Sequence, residues 1–115
     1  MTDRELLELA AKAAGIEGRY ASLDEFPDWM TVHDGEGVYY TSSQAWNPLI
    51  DDGDALRLLV KLSMGVSVFE HHISATDDKG NETYQRIQIF DGNDPYAATR
   101  RAIVRAAAEI GRGMG

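Results

Sequence analysis

The run Trp46-Asn47-Pro48-Leu49-Ile50-Asp51-Asp52-Gly53-Asp54-Ala55-Leu56-Arg57-Leu58 constrains the fold more than any other part of the chain. Pro48 disfavours helical backbone at Asn47, so the aromatic-proline step reads as a turn. Asp51 or Asp52 then stands where a carboxylate caps a helix by accepting bonds from its free N–H groups. Leu56, Leu59, Val60 and Met64 follow at helical spacing. Leu62 widens that apolar stripe, and Gly65 is the expected stop. A turn locked to a capped amphipathic helix in mid-chain divides the remainder into a segment before it and a strand-rich segment after it.

Before it, Thr2-Asp3-Arg4-Glu5 has the form of a capping box, with Thr2 as N-cap and Glu5 at N3. Leu6, Leu9, Ala10 and Ala13 continue as a narrow apolar stripe, and Gly15 suits a C-terminal stop. Trp29-Met30-Thr31-Val32 and Val38-Tyr39-Tyr40-Thr41 read as two short strands around the Asp34-Gly35-Glu36-Gly37 turn. After it, Val66–Ala75 and Glu82–Phe90 read as the two strands of a long hairpin joined by Asp77-Asp78-Lys79-Gly80-Asn81. Ile87 and Ile89 lie on one face of the second strand, Arg86 and Gln88 on the other.

The last helix opens at Asp94-Pro95, with Asp94 as N-cap and proline in the first helical position. Tyr96, Ile103, Ala106, Ala107 and Ile110 form its expected packing stripe. Gly111 is the expected stop, with residues 111–115 as a frayed tail. The order helix, two short strands, helix, hairpin, helix indicates an α+β domain over residues 1–115. The expected architecture is a three-layer alpha-beta-alpha sandwich with three helices and a mainly antiparallel sheet of about four strands.

Composition excludes several function classes. The 115 residues include no cysteine, which removes disulfides, thiolate metal sites and cysteine nucleophiles and suits a reducing cytoplasm. The N-terminal residues lack the basic and apolar regions of a secretory signal, and no apolar run approaches the roughly 20 residues that span a bilayer. A formal charge of −8 disfavours general nucleic-acid binding, which needs Lys and Arg to neutralise phosphates. The charge is uneven. Residues 1–94 carry a net −11 and residues 95–115 a net +3, so the last helix is a basic element on an acidic body. Its arginines either cover that body or meet an acidic partner.

Candidate chemistry is sparse. Asp51, Asp52 and Asp54 offer hard oxygen ligands of the kind that hold Mg²⁺ or Mn²⁺, though their spacing is not that of a calcium loop and helix capping explains them better. His71 and His72 are adjacent in a strand and point to opposite faces, and His33 is remote in sequence, so no zinc set is evident. No serine lies in a nucleophile elbow and no phosphate-binding glycine loop is present. No cofactor is implied. The large amphipathic rings are the more suggestive feature, because Trp and Tyr dominate protein-binding hot spots. Trp46 reads as a core residue under its turn. Trp29, Tyr39 and Tyr40, with Arg100 and Arg101 of the basic helix, are the candidate partner-binding residues.

The segment Trp46–Leu62, the opening Glu5–Gly15 and the closing Asp94–Gly111 resemble a small phage and prophage family, the phage alpha-beta-alpha sandwich domain family. The resemblance implies an alpha-beta-alpha sandwich encoded by a bacteriophage or prophage. It assigns no catalytic residue. The expectation is therefore a non-enzymatic accessory protein of the bacterial cytoplasm that binds another protein. An acidic mimic of DNA that inhibits a host enzyme is a second reading, and a small metal-dependent enzyme using Asp51, Asp52 and Asp54 a third. The oligomeric state is left open.

Overall fold

The computed structural model describes residues 2–21, 38–40, 45–69, 72–77, 84–88 and 94–114. Within them the elements run α1 (Asp3–Ala14), β1 (Arg19–Ala21), β2 (Val38–Tyr40), β3 (Ala45–Trp46), α2 (Asp52–Lys61), β4 (Gly65–Val68), β5 (His72–Thr76), β6 (Tyr84–Gln88) and α3 (Pro95–Gly113). The expected Trp29–Val32 strand and the turn after it lie outside the described residues.

Three helices and an α+β character are present, but the single sheet of about four strands is not. The described strands form two separate antiparallel sheets, β1-β2-β3 and β4-β5-β6. This overturns the three-layer alpha-beta-alpha sandwich. Two causes are visible. First, β1 and β3 have only three and two residues, too few for a period of two to register, and they pair with β2 at Tyr20↔Tyr39 and Tyr39↔Trp46. Second, Val66–Ala75 is not one strand. Its two ends form separate strands, β4 and β5, that pair antiparallel with Val66 opposite Ala75 and Val68 opposite Ile73. That register places all four on one face of the sheet. Ile73 and Ala75 are buried there, whereas Val68, at the sheet edge, stays more than half exposed.

Capping chemistry sets the helix starts as expected. The Thr2 hydroxyl accepts from the Glu5 N–H at 3.2 Å and the Glu5 carboxylate accepts from the Thr2 N–H at 3.4 Å. Gly15 ends α1 with φ 69°, in the left-handed region that glycine enters without a side-chain penalty. Asp51, rather than Asp52, caps α2 by accepting from the Asp54 N–H at 2.7 Å. Asp94 caps α3 by accepting from the Tyr96 N–H at 2.9 Å.

The helix ends depart from expectation. α2 stops at Lys61, four residues before Gly65, which instead opens β4. The Met64 N–H bonds back to the Leu59 carbonyl at 3.0 Å, and Ser63 sits at φ 53°. This is the close of a helix whose left-handed position is usually glycine. A non-glycine residue there costs about 1–2 kcal/mol, of which glycine would return part through its own larger unfolded-state entropy. Ser63→Gly is therefore expected to stabilise the protein by roughly 0.5–1 kcal/mol, read as a higher denaturant midpoint at unchanged slope.

α3 also runs past its expected stop, to Gly113. Gly111 is a buried helical residue rather than a terminus. The reason is tertiary. Ala10, Ala11 and Ala14 of α1 and Ala102, Ala106, Ala107 and Ala108 of α3 are all buried. Small side chains let two helices approach closely, and α1 and α3 form the most extensive contact between elements. At Gly111 a Cβ would run into the Leu9 carbonyl oxygen and lie 2.9 Å from its carbon. Sheet β4-β5-β6 packs on α3, sheet β1-β2-β3 lies beside α1, and α2 packs on α3.

Candidate functional site

Two helical stripes and one strand edge line an open concavity. On α2, Asp52, Ala55, Leu56 and Leu59 stand at i, i+3, i+4 and i+7. On α3, Tyr96, Thr99, Arg100 and Ile103 stand at the same intervals. Each set therefore shares one helix face. These stripes line a groove of about 530 Å³, completed by Val66 and Val68 of β4 and by Pro95. The sheet supplies an apolar surface because its inner face extends beyond the part that α3 covers.

The groove is apolar and open. Leu56 is 60% exposed, Val68 57% and Tyr96 70%. Among the described residues, its charged lining is Asp52 and Arg100. They bond to each other at 2.6 Å, and the Arg100 Nε–H donates to the Leu49 carbonyl at 2.9 Å. The guanidinium is thus engaged by the chain itself, and the groove suits an apolar occupant rather than a charged one.

This geometry corrects the expected apolar face of α2. Leu56 and Val60 were expected in the core, but the helix buries Ala55 and Leu58 and leaves Leu56 and Val60 exposed, Val60 at 67%. Tyr96 likewise leaves the α3 packing stripe for solvent, while Ala102, Val104 and Ala108 enter it. The same correction applies on a smaller scale to α1, which buries Leu7, Ala11 and Ala14 along with Leu6 and Ala10.

The three aspartates separate into distinct structural duties. Asp51 caps α2. Asp54 accepts from the Asn47 N–H at 2.9 Å and pairs with Arg57 at 2.7 Å, fastening the aromatic-proline turn to the helix. Asp52 reaches across to Arg100. Among the described residues, no group of three or more His, Cys, Asp or Glu side chains is arranged to hold a metal ion.

Of the candidate partner-binding residues, Arg100 and Arg101 are both engaged within the chain. Arg100 is held by Asp52 and Leu49, and Arg101 pairs with Asp3 at 3.1 Å. These two arginines of the basic helix thus cover acids of the same chain. Tyr39 and Tyr40 lie in β2, and Trp29 lies outside the described residues. Glu8 is matched by Arg4 and Glu109 by Arg112. Carboxylates paired in this way lend no support to a phosphate-like array. Trp46 is buried, as its place before the turn suggested.

Sequence reasoning missed Leu56, Val66, Val68 and Tyr96 as a group. One signal was available. α2 and its C-terminal turn carry Ala55, Leu56, Leu58, Leu59, Val60 and Leu62, an arc too wide for one neighbouring element to cover.

Comparison with family models, curated proteins and solved structures gives no match to this chain. Among the described residues, no helix is long and apolar enough to cross a membrane.

Proposed function

We propose that this chain is a non-enzymatic accessory protein of phage or prophage origin, acting in the bacterial cytoplasm by binding protein, with the α2–β4–α3 groove as its contact face. One observation carries the binding reading: an open apolar groove framed by Leu56, Val68 and Tyr96, each more than half exposed. A concentration of large exposed apolar side chains around one concavity is the usual mark of a protein-contact surface. The phage setting rests on the resemblance of Glu5–Gly15, Trp46–Leu62 and Asp94–Gly111 to the phage family.

Affinity capture from bacterial lysate, with and without prophage induction, tests the reading when run on three forms of the protein. Leu56→Asp places a charge in the groove at an exposed position and is expected to abolish capture of the partner retained by the wild type. Arg105→Ala alters an exposed α3 residue that does not line the groove and is expected to retain it. Circular dichroism confirms that both variants fold. Equal capture by the wild type and Leu56→Asp removes the groove from the function.

A further inference from the structure

We propose that the groove is a self-association face, on which two copies of the chain pair their β4 strands antiparallel across a two-fold axis. The β4-β5-β6 sheets of the two copies then become one of six strands, with Leu56, Val68 and Tyr96 of each copy covered at the seam. This rests on reading the groove as a protein-contact surface and names its occupant as a second copy.

The first support is the character of the edge. β4 is an outer strand of its sheet, and three of its four residues are exposed. Of the devices that protect natural edges from pairing, β4 has shortness, at four residues, but not lysine, proline, a bulge or an inward charge. Residues 62–69, Leu62-Ser63-Met64-Gly65-Val66-Ser67-Val68-Phe69, contain no charged residue and no proline. The irregularity in this sheet falls between β5 and β6, not at β4. An antiparallel pair of identical strands is also self-complementary, because each offers the other the same row of N–H and C=O groups, as a two-fold contact requires.

The second support is area. Leu56, Val68 and Tyr96, which line the groove, are all more than half exposed. At on the order of 100 Å² each, with the strand edge added, they supply roughly 400 Å² per copy. This lies within the ~300–600 Å² span of the largest patches on monomers, and doubling it gives roughly 800 Å², the size of a weak and transient contact. The third support is charge. A chain of net −8 repels its copies in general, but the groove's two charges, Asp52 and Arg100, already neutralise each other. The copies therefore meet where neither presents a net field.

Because β4 has only four residues, its ladder is short and the apolar contact must supply most of the affinity. Sedimentation equilibrium of the full chain from about 1 to about 500 µM covers the weak range expected of so small an interface. The expected result is a monomer–dimer equilibrium that Val68→Lys, a charge of the kind that protects natural edges, weakens by at least about tenfold. Arg105→Ala is expected to leave it unchanged. Amide hydrogen exchange of residues 65–68 is expected to slow as concentration rises in the wild type and not in Val68→Lys. A monomer throughout the range overturns the proposal. So does a dimer that survives Val68→Lys, or one that leaves the β4 amides unprotected. The two readings fail separately: a monomer whose partner capture is lost in Leu56→Asp removes the dimer and keeps the groove, whereas a monomer with capture unchanged in that variant removes both.

Discussion

Gly111→Ala is expected to destabilise the protein by about 2 kcal/mol, although the same change in an ordinary exposed helix would stabilise it by about 1 kcal/mol. The sign is set by the helix crossing. A methyl group at position 111 would strike the Leu9 carbonyl and come within 2.9 Å of its carbon, with the Ala13 nitrogen at 3.4 Å. The obstacle is backbone, which cannot rotate away as a side chain would, so α1 and α3 must separate along a contact built from buried alanines. Overpacking of this kind costs up to roughly 3 kcal/mol and occasionally more, outweighing the gain in helix propensity. For a domain of this size the expected loss in thermal midpoint is on the order of 10 °C. Gly113→Ala is the internal control. It lies two residues on in the same helix, where a methyl group would meet nothing within 4 Å, and is expected to be neutral or slightly stabilising. Equal midpoints for the two variants would remove the close crossing of α1 and α3 from the account of stability.

Trp46→Ala is expected to be the most damaging single truncation, at about 3–5 kcal/mol. Trp46 is 6% exposed and belongs to the hydrophobic core. With Ala14 at the end of α1, Ile16 just beyond it and Leu58 of α2, it lines a small cavity of about 220 Å³. In β3 it stands opposite Tyr39 of β2. Its removal therefore empties the junction between the first sheet, the end of α1 and α2. Pro48, two residues on, is fully buried and fixes the turn, while Asp54 holds the Asn47 N–H, so the neighbouring backbone has little freedom to collapse into the void. The cavity cost then adds to the lost transfer energy. Urea denaturation measures the change, and a midpoint close to that of the wild type would show that Trp46 does not anchor this junction.

Much of the local structure was legible because it depends on neighbours in sequence. Thr2 with Glu5, Asp51 with Asp54, and Asp94 with Tyr96 each set a helix start through interactions spanning two or three residues. Those distances survive any tertiary arrangement, and so does the turn that Pro48 imposes. The burial of Trp46 followed from the same segment. The Asp51, Asp52 and Asp54 cluster was legible as a feature but not as three duties, because Asp52 finds its partner, Arg100, 48 residues away.

What tertiary structure decided was which surfaces meet. The apolar arc of α2 is wide enough to bury either Leu56 and Val60 or Ala55 and Leu58, and only its packing on α3 selects the second pair. Gly111 has the composition of a helix stop, yet α3 continues because α1 lies against it and the glycine is needed for clearance. The single expected strand from Val66 to Ala75 becomes two because folding back lets Ile73 and Ala75 bury beneath α3 while β4 takes the edge. Hydrophobic periodicity specifies how much apolar surface each element must hide, but not which neighbour hides it. The separation of the strands into two sheets, and the groove left between α2, β4 and α3, follow from that allocation across the whole chain.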